Sequence, residues 1–459
     1  MRTKPLLSGF RIFTILTVLS LGTGFAQEDE MLEKLTKDEA ITVMLENNFG
    51  IKIAGNAVQI ADNNRSILNS DYLPTLSGNA GATYDNTSSS TSFNGALDNQ
   101  GNPRPDIEID DAETRRYNAS LNLDYTLFDG LGRYYNYKSL KEQYNLSQLE
   151  ARETIELTTL QLIAVYYEVA RQMENVSVLQ DALEISRQRE LRASYQFDYG
   201  QVSKLEVLNA RVDVNTDSIN LLVARQQLVN TKRDLNLVLN RDLETRFAVD
   251  TTATFISLLK MNEFRETVAE NNVSLLQNEK NIELSEFDVK RAKAVLLPSV
   301  GLSGSYGWNR SENPAGVFFP GTTGTSNSLN VGLNLRWNLF DGGRTITTVK
   351  NARIALETQN LLKAQLSEQV YRDLANAMGN YETALYIYKL QEQNVLTNED
   401  NFRRSEEQLK IGQITSVEFR QAQLNLLNAL TVKNAAKYSA KIAEAELLQL
   451  TGQLLNTEF

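Results

Sequence analysis

Two matched turns hold the residues of this chain best placed to act on something outside it. Gly200-Gln201-Val202-Ser203 leads to Glu206, and Gly412-Gln413-Ile414-Thr415 leads to Glu418. Each glycine suits a chain reversal at positive φ. Each hydroxyl residue stands three positions before a glutamate, the spacing of a capping box that opens a helix. The chemistry on offer is hydrogen bonding and charge rather than bond making. The 459 residues include no His and no Cys, which removes the commonest general base, the commonest metal ligand and any thiolate or disulfide. The remaining carboxylates are scattered along helical stretches, where acids form a solvated face. Catalysis, a bound metal and a cofactor are therefore not expected.

The elements that position these turns occur twice. Leu127-Phe128-Asp129-Gly130 recurs as Leu339-Phe340-Asp341-Gly342, at the same 212-residue offset that relates the two turns. Glu46-Asn47-Asn48 recurs as Glu270-Asn271-Asn272, and Leu73-Pro74 as Leu297-Pro298, both offset by 224. The 12-residue difference falls between the Leu-Pro and Leu-Phe-Asp-Gly landmarks. One large unit was duplicated, and one loop within it varied. Arg133 to Tyr199 lacks Pro and Gly, and Arg344 to Lys410 is interrupted only by Gly379. Each stretch predicts a helix of roughly 100 Å at 1.5 Å per residue. Helices return after each turn, about 203–239 and 415–450. Leu205, Leu208, Val212, Ile219, Leu222 and Val229 share one heptad stripe in the first return helix, a coiled-coil seam.

Residues 1–26 read as a secretory signal peptide: three cations, an apolar stretch from Ile12 to Leu21, and Gly24-Phe25-Ala26 before the cut. Removing Arg2, Lys4 and Arg11 takes the net charge from −11 to −14, which argues against nucleic acid. The repeats then divide as 27–240 and 241–459, with strand pairs at about 75–128 and 299–340 and turns at 200 and 412.

The strands alternate in character. Ala119, Leu121, Leu123, Tyr125 and Leu127 form one apolar face; Leu329, Val331, Leu333, Leu335, Trp337 and Leu339 form another. Weaker partner strands run from Leu76 to Tyr84 and from Val300 to Trp308. Lengths near ten residues suit a tilted membrane strand. Tyr84, Tyr125, Tyr306, Trp308 and Trp337 fit interfacial aromatics, and the Asn, Asp, Arg and Gly of the opposite faces fit a watery lumen. Polar stretches 86–116 and 309–327 fit outer loops. Four strands cannot close a barrel, and an open edge cannot survive in lipid. Two copies would give eight strands, and three would give twelve.

The chain resembles the TolC family of outer-membrane efflux proteins over its whole mature length. Leu35 to Asn48 is similar to that family's opening helix, Trp337 to Arg344 to its strand-to-helix signature, and Tyr199 to Ala210 to its periplasmic turn. The resemblance implies a mainly α fold with a small membrane β part. Long α-helical hairpins would form a trimeric α-barrel tunnel, topped by a β-barrel to which each chain gives four strands. It implies a homotrimer in the outer membrane lipid, with a long periplasmic extension that meets a periplasmic adaptor (membrane fusion) protein and an inner-membrane pump of RND or ABC type. The function implied is a passive exit duct for efflux or type I secretion. Carried over residue by residue, docking tips fall on Gly200, Ser203, Leu205, Leu208, Gly412 and Thr415, and a periplasmic gate on Glu206, Glu418 and Gln421. Leu409 and Ile414 stand where the family places Tyr and Arg in a closing lock, leaving Lys410, Arg403 or Arg404 to substitute. Arg420 replaces the family's Leu, so the two tips are not equivalent. The alternative is a trimeric coiled-coil structural or adhesive surface protein. Strand pairs in both halves argue against it, because a single anchor would sit at one end.

Overall fold

The computed structural model describes residues 34–315 and 319–457; the signal peptide expected at 1–26 lies outside them. In the first half, β1 (Lys34–Leu35), α1 (Lys37–Asn47), α2 (Phe49–Asn64) and a short 3-10 turn (Ile67–Asn69) lead to β2 (Thr75–Thr91) and β3 (Ile107–Phe128). Then come α3 (Gly132–Asp198) and α4 (Lys204–Leu239). The second half repeats this with β4 (Ala248–Val249), α5 (Leu258–Glu266), α6 (Val268–Asn271), α7 (Val273–Ala294), β5 (Ser299–Asn313), β6 (Thr322–Arg336), α8 (Arg344–Lys410) and α9 (Ser416–Leu450). Helices α3 and α8 have 67 residues each, so both hairpins reach the same distance. No described helix is long and apolar enough to cross a membrane.

The repeated residues have repeated jobs. Asn48 breaks α1 from α2 by accepting N–H bonds from Gly50 and Ile51, and its Nδ2 donates to the Val238 carbonyl at 3.0 Å. Asn272 caps α7 through the Leu275 N–H and donates to the Leu450 carbonyl at 2.8 Å. Each pins the start of its repeat to the end of that repeat's return helix. Asp129 accepts from the Arg133 N–H at 2.8 Å, and Asp341 from the Thr345 N–H at 2.9 Å. Those carboxylates satisfy donors that a helix start leaves orphaned.

The four long strands form one antiparallel sheet in the order β2-β3-β5-β6, so the repeats meet at β3–β5 and the sheet ends in two open edges. The strands are longer than their apolar patterns suggested. β2 runs to Thr91 and β3 starts at Ile107, so most of the polar stretch 86–116 is ladder, with the connection confined to 92–106. Backbone pairing needs no apolar side chain, which is why alternation understated it. In the other direction β6 stops at Arg336, and Trp337 to Phe340 lie beyond it. Trp337 is thus not on a strand face; its indole N–H donates to the Leu296 carbonyl at 3.2 Å.

The core sits where the helices cross midway along the hairpins, around Ile163, Tyr166, Leu235, Phe247, Tyr381 and Leu448. Tyr166 donates to the Leu35 carbonyl and accepts from the Asp250 N–H, both at 3.0 Å, tying β1 and β4 to α3. Principal helix neighbours run α4–α3–α9–α8 on the turn side and α2–α3–α7–α8 on the sheet side. Both orders leave α2 and α4 on one free flank and α8 on the other.

Candidate functional site

The heptad stripe read from the first return helix is not the seam within the chain. The face of α4 buried on α3 is Val207, Ala210, Asp217, Leu221, Thr231 and Leu235. Leu205, Leu208, Val212, Ile219 and Leu222 are exposed, at 63% for Leu205 and 70% for Leu222. The two stripes differ by two residues, about 200° around a helix. Helix α4 therefore carries two seams on opposite faces and has a partner for one. A buried seam containing Asp217 scores worse by hydropathy than the exposed one, which explains the misreading. Along α8, the residues Ile346, Ile354, Leu361, Tyr386 and Leu390 are likewise exposed.

The sheet has the same incompleteness. Cross-strand rows on one face read Leu76–Leu123–Gly304–Val331, then Gly78–Leu121–Tyr306–Leu329, then Ala80–Ala119–Trp308–Asn327. Tyr125 pairs with Leu302 one row nearer the helices. The next row beyond Trp308 holds Tyr117 and Arg310, and the row after that holds Tyr84, Arg115 and Glu312. The apolar band from Val300 to Trp308 is eight residue steps, ~27 Å along the strand and roughly 20 Å of height after tilt. The opposite face carries Ser, Asn and Gly, with bonds such as Asn334 Nδ2 to Ser303 Oγ at 3.4 Å.

At the far end of the hairpins, Gly200 and Gly412 hold φ of +72° and +76°, as their turn positions require. Thr415 and Glu418 form the full capping box. Glu418 Oε2 accepts from the Thr415 N–H at 2.7 Å and from its hydroxyl at 2.9 Å, while the Glu418 N–H donates to Thr415 Oγ1 at 3.2 Å. Those bonds, the backbone one first, hold the Glu418 carboxyl below its ordinary pKa. Ser203 is the N-cap residue of α4 by position, but its hydroxyl makes no capping bond, so the expected box with Glu206 does not form. Glu206 instead lines a cavity of about 260 Å³ between the two turns, with Val202, Gly412, Ile414 and Thr415. Gln421 donates to Asn425 within α9 at 2.9 Å.

None of the three cations expected to replace the lock bridges the hairpins. Arg403 and Arg404 both pair with Asp400, and Lys410 with Glu406, all within α8. Among the described residues near the turns, the cation that does bridge the hairpins is Arg420, on α9. Its two terminal nitrogens donate to both oxygens of Asp217 on α4, each at 2.7 Å, in a bidentate pair. Ser186 on α3 donates to Asp217 at 2.6 Å, and Gln423 donates to the Ala182 carbonyl at 2.9 Å. Arg189 on α3 pairs with Asp213, which also lies 3.5 Å from Arg420 Nε. This cluster joins three helices just behind the turns. Arg420 alone was visible beforehand, as a departure from a pattern. Asp213 and Asp217 share an i,i+4 face of α4, but nothing in the sequence says that Arg420 meets them.

A model of the family described as outer membrane efflux protein matches residues 40–241 and 265–453. The chain is 21% identical to the outer membrane efflux protein BepC of Brucella suis, over 95% of this chain and 89% of that protein. It is 23% identical to the outer membrane protein TolC of Vibrio cholerae, over 64% of this chain and 67% of that one. Among solved structures, the Campylobacter jejuni CmeC outer membrane channel superposes with a TM-score of 0.71 at 18% identity, covering 91% of this chain and 86% of that chain.

Proposed function

This chain belongs to the outer membrane efflux protein family, and from that premise we infer that it is the outer-membrane exit duct of a tripartite efflux or type I secretion system. The observation that carries the inference is the pair of unfinished rims. The sheet has two open edges, and the helical layer has two exposed apolar flanks. One operation completes both: β6 and α8 of each subunit meet β2 and α4 of the next, and the assembly closes into a β-barrel over an α-barrel. In a trimer the sheet becomes twelve-stranded. The polar sheet face lines the lumen, and the band ending at Trp308 faces lipid. The duct supplies no energy. Cargo is delivered by an inner-membrane pump of RND or ABC type, through an adaptor that docks on the exposed turns. Conductance of the purified protein in planar bilayers tests this reading; a non-conducting trimer would favour the coiled-coil surface protein.

Docking is assigned to Gly200, Ser203, Leu205, Leu208, Gly412 and Thr415, all at the free end of the hairpins. Both glycines use a positive φ that proline, fixed near −65°, cannot adopt. Both also donate a turn-closing N–H, Gly200 to Phe197 at 2.8 Å and Gly412 to Leu409 at 3.2 Å. Gly200→Pro and Gly412→Pro are expected to abolish export while trimers persist, because the core lies far behind the turns. Normal export from both variants would remove the turns from docking.

The gate is assigned to Glu418, with Gln421 and Glu206 beside it. Threefold symmetry places three Glu418 carboxylates around the axis, a ring that favours cations. Glu418→Ala should shift the reversal potential in a KCl gradient toward zero. An unmoved reversal potential would place Glu418 off the conduction path.

A further inference from the structure

Two cations stand at the same place in both repeats. Lys138 and Lys141 on α3 recur as Lys350 and Arg353 on α8, at the 212-residue offset of the turns. Helices α3 and α8 start at Gly132 and Arg344, so both pairs lie about 9 and 14 Å along them from the sheet end. All four residues are exposed, and none forms an ion pair among the described residues. Other cations at this level are occupied: Arg65 by Asp62, Arg133 by Asp129, Lys290 by Glu286 and Arg291 by Asp288.

The direction of the Lys138 face follows from the packing of α3, which has both lateral neighbours within the chain. Arg133, Tyr137 and Tyr144 meet Asp71, Tyr72 and Arg65 on the α2 side. Glu142, Leu149 and Glu153 meet Lys280 and Gln277 of α7. Tyr134, Lys138 and Lys141 fall midway between those faces. In the sheet, the row Thr75–Asp124–Ser303 starts at the foot of β2 and ends four residues above Ser299, the foot of β5. Rows that climb in chain order, in a barrel of normal twist, run clockwise seen from the loop end. The helices keep that order, α2–α3–α7–α8. A right-handed helix descending between α2 and α7 then turns its Lys138 face away from the barrel axis. The side chains also lean back toward the sheet. Lys138 Nζ lies 5.8 Å from the ring centre of Tyr134, and Lys141 Nζ 4.4 Å from that of Tyr137, each four residues earlier. Helical side chains tilt toward the N-terminus, and α3 and α8 both have that end at the sheet.

We propose that these four cations bind the phosphate headgroups of anionic phospholipids in the periplasmic leaflet, a site that rests on the trimeric duct reading. Leu131, Trp337, Leu339 and Phe340 are exposed at the strand-to-helix crossing. They extend the apolar band of the sheet toward the ~25 Å typical of a barrel. Exposed Tyr134 and Ile346 come next, and the cations follow. Apolar, then aromatic or aliphatic, then cationic is the order of a membrane boundary. The headgroup layer beyond the hydrocarbon is about 5–8 Å deep, and side chains leaning back toward the sheet reach into it. The chain as a whole is acidic at −11, so the attraction is local to this collar.

The test counts lipids on the intact trimer. Trimers are equilibrated in mixed micelles holding equal phosphatidylglycerol and phosphatidylcholine, and bound lipid is counted by native mass spectrometry. Phosphatidylglycerol should exceed phosphatidylcholine at least about fivefold, the gain expected when one cation faces a headgroup. Lys138→Gln with Lys141→Gln should lose roughly half of the excess, and Lys350→Gln with Arg353→Gln the same share, because the repeats contribute alike. All four changes together should bring the ratio to about one. Lys389→Gln, at an exposed position far along α8, should leave it unchanged. Equal binding of the two lipids to the native trimer, or a preference that survives the fourfold variant, overturns the site. So does an unchanged lipid ratio with a reversal potential moved toward cations, which would put the four side chains in the lumen. Bilayer conductance of the native preparation keeps this apart from the duct reading: a conducting trimer without lipid preference loses the collar alone.

Discussion

Arg420→Met is expected to loosen the turn end of the molecule by about 3–5 kcal/mol, the usual cost of leaving a buried charge without its partner. Asp217 is 2% exposed at its side chain. Without Arg420 its carboxylate keeps only the Ser186 hydroxyl, and Gln423 loses one of its bonds to the cluster while still donating to Ser186 and to the Ala182 carbonyl. The effect should be local, because the core around Tyr166 and Tyr381 lies elsewhere along the hairpins. Hydrogen exchange should therefore accelerate in α3 near Ala182 to Arg189 and in α9 near Val417 to Leu424, with little change at midlength. A companion variant separates lock from strain. Pairing Arg420→Met with Asp217→Leu removes both charges, and replacing a whole buried pair by apolar groups is often close to neutral. The double variant should recover most of the loss. Equal exchange in the native protein and Arg420→Met would show that the cluster does not hold the hairpins. If it does hold them, bilayer conductance of the single variant should exceed that of the native duct.

This cluster marks where sequence reasoning stopped. The duplicated landmarks were legible because each satisfies a local rule: Asn48 and Asn272 start helices, Asp129 and Asp341 cap them, and Gly200 and Gly412 reverse the chain. Such rules act over four or five residues and leave a mark at fixed spacing. The 67-residue helices were legible from the scarcity of breakers, and the membrane strands from alternation. Contacts between hairpins obey no local rule. Arg420 and Asp217 are 203 positions apart, and their meeting depends on the register in which α9 packs on α3 and α4. The one heptad stripe read on α4 is not the seam within the chain, for a related reason. Hydropathy reports that a face will be covered, not by which neighbour. In the assembly proposed above, the most apolar stripe of α4 is the one that the next subunit would cover.

The second large effect is expected at the strand-to-helix crossing. Gly130 and Gly342 are the same residue of the repeated Leu-Phe-Asp-Gly motif, at φ of +69° and +73°. Either one changed to alanine incurs the left-handed penalty of about 1–2 kcal/mol. Their surroundings differ. A Cβ on Gly130 would overlap the Ala294 carbonyl at the end of α7 and come within 2.9 Å of Leu297 Cβ, whereas one on Gly342 meets open space. Overlap with backbone adds roughly 1–3 kcal/mol or more. Gly130→Ala should therefore deplete folded chain before assembly, seen as lost yield of both monomer and trimer on native gels. Gly342→Ala should fold. The repeat says what comes next to it: Gly130 abuts the residues after α7, so Gly342 should abut the corresponding residues after α2 in the neighbouring subunit. Its cost then falls on assembly, as folded monomer that trimerises poorly. A Gly342→Ala trimer as heat-stable as the native one would mean that no neighbour reaches that turn, and that the second crossing faces solvent where the first is buried.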